Sequence, residues 1–456
     1  MSLRRVLIPN RGEIALRIVR ASRALGIESV VAASSADRTS LAAQEADRVV
    51  VIGPPPARRS YLDENLVVHA AVATECDALH PGYGFLSERA SLADLCAREG
   101  ITFVGPSAES IRRVGGKIAG RELATTIGVP VVEGSEALGS VDAAVANADR
   151  IGYPVVTKAS AGGGGRGMVV ARDAAALRSG FEKASLEAKE AFGDGTLFLE
   201  HYVDHARHIE VQAVGDGNGT VLHFGERDCS VQRRYQKMVE EAPAAILPTH
   251  VREEIRDSAV RLLAAIKYRN AGTVEFLYDV DRQSFSFIEV NARIQVEHPV
   301  SEAICGIDLI QLQLRIAGGE PLPWSQSDIK PAGHAIEARI LAEDPARSFA
   351  PSPGRITGWR PPGGAGVRLD SAVQEGAMVP PFYDSMIAKL IVLSDDRAEA
   401  VSRLRAALSD FTIEGIATNL PLLKYIVRHP DFIENRVTTR WLEQTLLPCY
   451  ENQTEG

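Results

Sequence analysis

Cysteine is scarce. Only Cys76, Cys96, Cys229, Cys305 and Cys449 occur in 456 residues, an odd number with no CxxC pair. This excludes a disulfide framework and a thiolate zinc site, and reads as reduced thiols in a cytoplasmic protein. Long apolar runs are missing too, and nothing approaches the roughly eighteen residues of a membrane span. The N-terminal stretch carries Arg4 and Arg5, but Pro9 and then charges cut its apolar run, so no secretory core forms. Positive charge is not in excess: 50 Lys+Arg against 59 Asp+Glu give a net charge of −9. A generic nucleic-acid binder is excluded, although a local basic pocket is not. There is no internal repeat and no low-complexity tract. With 45% hydrophobic and 24% charged residues, the composition is that of an ordinary soluble enzyme. At about 150 residues per domain the length suggests roughly three domains.

The first hundred residues alternate strand and helix. Residues 5–8, 29–33, 48–52, 78–79 and 102–104 read as strands. Ile14, Ile18, Ala21 and Leu25 sit at helical spacing before Gly26, and the whole segment predicts a parallel α/β unit. Residues 107–127 read as one helix leading out of it. Beyond residue 130 the pattern predicts strands at 155–159 and 168–171 around a glycine run, a helix at 174–192, and strands at 196–202 and 209–214. After Pro248 an amphipathic helix is expected at 252–267. A hairpin follows, with strands 273–278 and 285–290 and a polar turn between them. Residues 322–331 look like a linker, and the remainder is strand-rich with a helix near 397–408.

The glycine run at 162–167, GGGGRG, formally matches a dinucleotide fingerprint, but such a fingerprint opens a helix. Here Met168, Val169 and Val170 continue as a strand, and no GK[ST] follows, so both the Rossmann and the P-loop readings fail. Strand, glycine loop, strand describes a flap whose bare backbone N–H groups can close over phosphates. Lys158, just upstream, supplies an ammonium beside it. The plain alternative is a mobile hairpin.

Glu275, Glu289 and Asn291 form a second constellation. In a hairpin symmetric about position 282, Glu275 and Glu289 face each other and Asn291 follows on the same side. Facing carboxylates repel unless a cation lies between them, and oxygen-only ligands suit Mg2+ or Mn2+. The flanking Val274, Phe276, Ile288 and Val290 predict a buried opposite face; the bland alternative is a solvated sheet face with chance acids. Immediately downstream, Arg293 could hold an oxyanion and Glu297 could act as a general base, unless Glu297 merely caps or salt-bridges a neighbouring helix near His298-Pro299. The cation-dense run at 229–241 reads by default as a solvated face. His208, Glu210 and Gln212 share one strand face opposite Ile209 and Val211, and either line a cleft or meet water.

Together these segments resemble biotin carboxylase, the ATP-grasp component of biotin-dependent carboxylases. The resemblance lies in NRGEIALRI (10–18), HPGYGFLSE (80–88), FVGP (103–106), KASAGGGGRGM (158–168), ERDCSVQRRYQK (226–237), EEAPA (240–244), EVNARIQVEHPVSE (289–302), GHAIEARILAEDP (333–345) and YDSMIAKLIV (383–392), in family order along nearly the whole chain. It implies an α/β and α+β multidomain fold. A Rossmann-like pre-ATP-grasp domain would span 1–113, an ATP-grasp domain 114–330 with a mobile lid at about 130–204, and a C-terminal biotin carboxylase domain 331–447. It implies carboxylation of carrier-borne biotin by ATP and bicarbonate through carboxyphosphate. ATP would be bound by Lys117, Lys158, Gly164, Gly165, Glu200, His201, Tyr202, Val203, His208 and Gln232. Tyr235 would join them where many relatives carry a histidine. Glu275, Glu289 and Asn291 would hold two Mg2+ or Mn2+ ions. Lys237, Arg293, Gln295 and Val296 would surround bicarbonate, Glu297 would be its base, and Arg339 would face bicarbonate and the biotin ureido group.

Three other residues depart from the family pattern: Gly116 stands for a common acid, Val169 for an arginine and Ala292 for a threonine. The resemblance further implies a homodimer working with a separate biotin carboxyl carrier protein and carboxyltransferase subunits, in the cytoplasm, with no nucleic acid or membrane partner. Biotin is expected on another polypeptide, because the only Lys-Met pair, Lys237-Met238, follows Gln236 rather than methionine. The final acceptor, an acyl-CoA as in acetyl-CoA carboxylase or pyruvate or another 2-oxoacid, stays open. Two further alternatives are an ATP-grasp ligase that does not use biotin and a non-enzymatic ATP-binding regulatory subunit.

Overall fold

The computed structural model describes residues 3–160 and 168–454. The glycine flap with Gly164 and Gly165, and the side chain of Lys117, lie outside what it describes. The first unit is a five-stranded parallel sheet of β1 (Arg5–Ile8), β2 (Glu28–Ala33), β3 (Arg48–Val51), β4 (Ala78–Leu79) and β5 (Thr102–Phe103), in the order β3-β2-β1-β4-β5. Helix α1 (Gly12–Ala24) buries Ile14, Ile18 and Ala21 against it, the face that the helical spacing predicts.

The single helix expected over 107–127 is two, α2 (Ala108–Val114) and α3 (Lys117–Thr126). The break falls at Gly115-Gly116. A Cβ on Gly115 would lie 2.7 Å from the Ile111 carbonyl oxygen, and paired glycines add the backbone entropy that makes them poor helix residues. A small antiparallel sheet follows, with β6 (Val155–Ala159) between β7 (Val170–Ala171) and β8 (Leu197–His201). It packs on helix α4 (Ala174–Phe192) around its own apolar core of Leu177, Phe181, Val155 and Leu199. Helix α4 starts at Asp173, which accepts from the Ala176 N–H, and ends at left-handed Gly193, so both termini are legible in the sequence.

The centre is one antiparallel sheet of eight strands. Its members are β9 (Ala206–Asp216), β10 (Val221–Arg233), β11 (Gln236–Ala242), β12 (Arg269–Asp279), β13 (Ser284–Asn291), β14 (His334–Leu341), β15 (Val367–Ser371) and β16 (Met386–Ser394). Their order is β13-β12-β9-β10-β11-β14-β16-β15. Helix α5 (Thr249–Ala265) covers one face with Ile255, Leu262 and Leu263 buried. The β11–β14 ladder carries the sheet without a break from the middle of the chain into its last third. Among the described residues no helix is long and apolar enough to cross a membrane.

The junction is fastened by Glu241 on β11, which accepts from His334 Nε2 at 2.7 Å and from Arg397 at 2.7 and 3.1 Å. Arg397 opens helix α7 (Arg397–Asp410), so this one carboxylate ties β14 and α7 to the central sheet. Burial alone would raise the Glu241 pKa, but His334 and Arg397 outweigh it and hold it at about 2. An unfolded glutamate titrates near 4.3, roughly two units higher. The stabilisation is therefore complete above that value and is lost as pH falls toward the folded pKa, a contribution of about 3 kcal/mol. Glu241→Gln is expected to lower the urea midpoint at neutral pH and to flatten its fall between those two pKa values. Urea titrations of both proteins across the acid range check this, and an equal acid slope in the two would contradict it.

Candidate active site

The site begins with one rung of the central sheet. Arg227 on β10, Glu210 on β9, Glu275 on β12 and Glu289 on β13 are successive cross-strand partners. Three carboxylates side by side on one face repel one another. What makes the rung tolerable is cationic. Arg227, fully buried, donates through Nε to Glu210 at 2.6 Å and through Nη1 to Gln212 at 2.9 Å and Ser301 at 3.0 Å. The Lys237 ammonium sits over the row, 2.6 Å from Glu210, 3.2 Å from Glu275 and 2.6 Å from Glu297. Its three donors are thus spent on three carboxylates. Burial would lower the Lys237 pKa, but Glu210, Glu275 and Glu297 together push it well above the ordinary lysine value.

Lys237 reaches this place because β10 and β11 form a tight hairpin. Arg233 pairs with Gln236, and the two loop residues, Arg234 and Tyr235, have φ of 48° and 65°. A two-residue turn of the type I′ kind needs positive φ at both positions, and without Asn or Gly this strains the backbone by about 1–3 kcal/mol per residue. The run 229–241 is therefore not a solvated face. Arg234, Tyr235 and Gln236 form an exposed tip, while Cys229, Met238 and Val239 are buried in the stem. At the tip the Tyr235 hydroxyl donates to Met168 Sδ at 3.6 Å.

The acids beyond the rung are placed by the other hairpin and the turn after it. Glu275 and Glu289 pair as the symmetric hairpin predicts, but the register slips by one between Glu275 and Phe276. Ile288 is the extra residue and is only half-buried, so it departs from the buried face expected of it, whereas Val274, Phe276 and Val290 keep to it. Asn291 Nδ2 and Gln295 Nε2 both donate to Glu275 Oε1, at 2.9 and 3.0 Å. Arg293 donates to Asn291 Oδ1 at 2.7 Å and to Gln295 Oε1 at 2.9 Å, and its Nε lies 3.1 Å from Glu88. His208 Nε2 lies 2.9 Å from the other Glu275 oxygen. Burial would lower the His208 pKa, yet Glu275 raises it overall.

Glu297 occupies the N-cap position of helix α6 (His298–Cys305), but its side chain makes no capping bond. Instead it is fully buried between Lys237 and Arg339, whose Nη2 lies 2.9 Å from Glu297 Oε2. Burial would raise its pKa, but Lys237, Arg339 and Arg227 hold it well below the ordinary carboxylate range. Val296, between Gln295 and Glu297, has its carbonyl fixed by the buried Lys389 at 2.9 Å.

The other candidates gather on and beside β8. Lys158 on β6 and Arg121 on α3 both pair with Glu200, Arg121 at 2.7 Å. His201 faces the Gly152 carbonyl at 3.3 Å, Tyr202 pairs with Arg440, and Val203 follows in the turn to β9. Gln232 is buried on β10, five residues along the strand from Arg227. The structure thus brings Lys237, Glu275, Asn291, Arg293, Gln295, Glu297 and Arg339 into one hydrogen-bonded network. It puts Lys158 and Glu200 in a second.

Sequence reasoning placed Glu210 on the right face but gave it no role, and passed over Arg227, Glu240, Lys389, Glu13 and Tyr83. Glu13 accepts from the Tyr83 hydroxyl and lies 3.2 Å from Lys389. Arg227 hides behind a bulge: the register shifts between His223 and Glu226 around Gly225, whose φ is 82°. In an unshifted register Arg227 would pair with Ile209.

Three family models match consecutive parts of the chain: "Biotin carboxylase, N-terminal domain" at 2–111, "Carbamoyl-phosphate synthase L chain, ATP binding domain" at 116–325 and "Biotin carboxylase C-terminal domain" at 337–444. Biotin carboxylase 1 of Bacillus subtilis is 48% identical over 442 residues, 97% of this chain and 98% of its own. A crystal structure of a biotin carboxylase–beta-gamma-ATP complex from Campylobacter jejuni superposes with a TM-score of 0.91 at 44% identity, covering 97% of this chain and 98% of that one. The biotin carboxylase domain dimer of Hydrogenobacter thermophilus 2-oxoglutarate carboxylase, in complex with MgADP, ADP and bicarbonate, gives a TM-score of 0.90 at 45% identity with the same coverage.

If Lys237 neutralises the rung, Lys237→Met leaves Glu210, Glu275 and Glu297 one shared cation short, and breaking such a buried network costs about 3–5 kcal/mol. Those carboxyls then take up protons more readily, so the penalty should shrink as pH falls. Thermal melting of both proteins at pH 8 and pH 5 checks this: the Tm gap is expected to be larger at pH 8, and a pH-independent gap would refute it.

Proposed function

Because this chain belongs to the biotin carboxylase family, we propose that the network around Lys237 is where bicarbonate is activated by ATP for transfer to biotin. The observation that carries this reading is Glu297, a buried carboxylate clasped by both Lys237 and Arg339. Bicarbonate is a weak nucleophile, and its attack on an anionic γ-phosphate brings like charges together. Lys237, Arg293 and Arg339 would offset that repulsion, with Gln295 and the Val296 backbone completing the anion's surroundings.

At rest Glu297 is too strongly held by its two cations to be a good base. An arriving anion competes for Lys237 and Arg339, and as they turn toward it the basicity of Glu297 rises. The base is thus set to act when the substrate is present. Carboxyphosphate formed there would break down to CO2 and phosphate, and the phosphate would accept the ureido proton of biotin facing Arg339.

Lys158, Glu200 to Val203, His208, Gln232 and Tyr235 would border the nucleotide, with Lys117 and the flap glycines Gly164 and Gly165. The metal residues fit a divalent cation: Glu275, Glu289 and Asn291 offer only oxygen ligands, and the repulsion in their rung favours a cation there. Mg2+ or Mn2+ held by them would neutralise charge on the nucleotide phosphates. The biotin would ride on a separate carrier protein, with the acceptor chosen by a transferase elsewhere, either an acyl-CoA or a 2-oxoacid. A homodimer is the proposed assembly. The flanking N-terminal and C-terminal domain matches weigh against an ATP-grasp ligase of another kind, and intact acids and cations weigh against a catalytically silent subunit.

ADP release from MgATP should require both bicarbonate and free biotin. Turnover that ignores either would overturn the proposal. Glu297→Gln is expected to lower kcat for biotin-dependent ADP release by about a hundredfold or more, with little change in KM for ATP, as general-base assistance is typically worth about 10²–10⁴. Near-wild-type carboxylation by that variant would remove Glu297 from the mechanism. Glu289→Gln should abolish ATP turnover while leaving the fold intact, because removing one of three neighbouring anions weakens cation binding and relieves repulsion. Steady-state titration with Mg2+ and a thermal melt without it check this, and unchanged turnover at limiting Mg2+ would contradict it.

A further inference from the structure

Behind Arg339 lies a second pair of acids that the mechanism above does not use. Glu240 on β11 and Glu337 on β14 are direct cross-strand partners, and both are fully buried. Cross-strand partners have Cβ atoms about 4.5–5.5 Å apart, and like charges in that position repel. Glu240 Oε1 accepts from Arg339 Nε at 2.5 Å. Its Oε2, and both oxygens of Glu337, have no hydrogen-bond partner among the described residues. An ionised carboxylate buried without donors is costly; a carboxylic acid beside a carboxylate supplies the missing donor.

The surrounding charges lead to the same place. Arg339 and Glu297 act on both acids, Lys237 on Glu240, and Lys389 on Glu337. Cys229 on β10 senses Glu240, Tyr83 senses Glu337, and Lys389 is shared with Glu13 and Asp370. Six buried carboxyls, Glu13, Glu210, Glu240, Glu275, Glu297 and Glu337, thus meet four cations, Arg227, Lys237, Arg339 and Lys389. The buried carboxyls outnumber the buried cations that touch them, which favours keeping one carboxyl neutral.

We propose that Glu240 and Glu337 share one proton, with Glu337 as the neutral acid donating to Glu240, and that this pair positions Arg339 against the reacting anion. The role for Arg339 rests on the function proposed above; the shared proton does not. The pair answers a mechanical need. Arg339 is held on one side by Glu297 and on the other by Glu240, and Glu297 is the group that must gain a proton during turnover. When it does, its hold on Arg339 weakens, and Glu240 alone keeps the guanidinium aimed. Burial drives both acids upward: Glu337 well above the ordinary glutamate value, and Glu240, even with Arg339 beside it, to about 7. Below that pH the second proton goes onto Glu240 and the anchor on Arg339 is lost.

Two variants and two readouts decide it. Infrared spectra at neutral pH, wild type minus Glu337→Gln, should show the loss of one protonated carboxyl band; no loss would overturn the shared proton. Kinetically, Glu337→Gln offers a neutral donor in the same place and should retain activity to within about threefold. Glu240→Gln should lower biotin-dependent ADP release by about tenfold or more, the scale of one lost charge-assisted hydrogen bond. It should also flatten the acid limb of kcat/KM, which wild type and Glu337→Gln should both keep. A Glu240→Gln enzyme retaining its rate and acid limb would overturn the positioning role. Wild type without biotin-dependent turnover would instead refute the proposed function, and the infrared comparison would still settle the proton.

Discussion

One ammonium group ties together the acids on the charged face of this molecule's central sheet. Glu210, Glu275 and Glu289 stand shoulder to shoulder on three adjacent strands, and Lys237 reaches over two of them to Glu297. No solvated surface would need that arrangement, and a core built for stability would not choose it. Replacing buried ion networks by apolar side chains is often neutral or stabilising. The stability comes from the opposite face, where Ile209, Val211, Val274 and Phe276 are fully buried. The sheet thus divides its labour by strand alternation: one face holds the fold, the other holds charge.

That division explains where strain is placed. The β10–β11 turn takes two non-glycine residues into positive φ, and nothing about packing requires those side chains. What it secures is a two-residue loop, hence the Gln232–Lys237 pair that brings the ammonium over Glu210. The bulge at Gly225 does the same for Arg227. Each irregularity aims a cation at the buried acids, which is where backbone strain is expected to collect.

The same irregularities set the limit on what could be read from the chain. Periodicity was enough for the parallel sheet and for the helix 174–192, whose caps Asp173 and Gly193 are visible in the sequence. It was enough for the Glu275–Glu289 pair, although the hairpin there is offset at its tip and reaches that pairing only through the extra residue Ile288. It failed for Arg227, because a bulge reverses side-chain parity and no local pattern announces one. It failed for the two helices replacing one at Gly115-Gly116, where apolar spacing continues across the break. The run 229–241 looked solvated because its charges were counted without their partners, which lie 27 to 60 residues away from Lys237 in the chain. Arg339 and Lys117 came from family resemblance alone. No spacing rule connects Arg339 to Glu297, since the contact depends on β14 joining the sheet beside β11.

Sharing one ammonium has a chemical consequence. Lys237 touches Glu275, on the side where a metal-bound nucleotide would lie, and Glu297, on the side where the anion would be deprotonated. A cation placed against Glu275 draws that carboxylate's charge to itself, and Lys237 is then left with fewer anions to satisfy. Its remaining donor capacity is available to an incoming anion, and its grip on Glu297 becomes part of that exchange. Electrostatics at these distances, in a buried site of low effective dielectric, is strong enough for such redistribution to move proton affinities by units. The two halves of the site are therefore coupled by a single side chain. Arginine in its place would not do the same work, because its donors are fixed in one plane, whereas the ammonium is a compact charge that turns freely on a flexible stem.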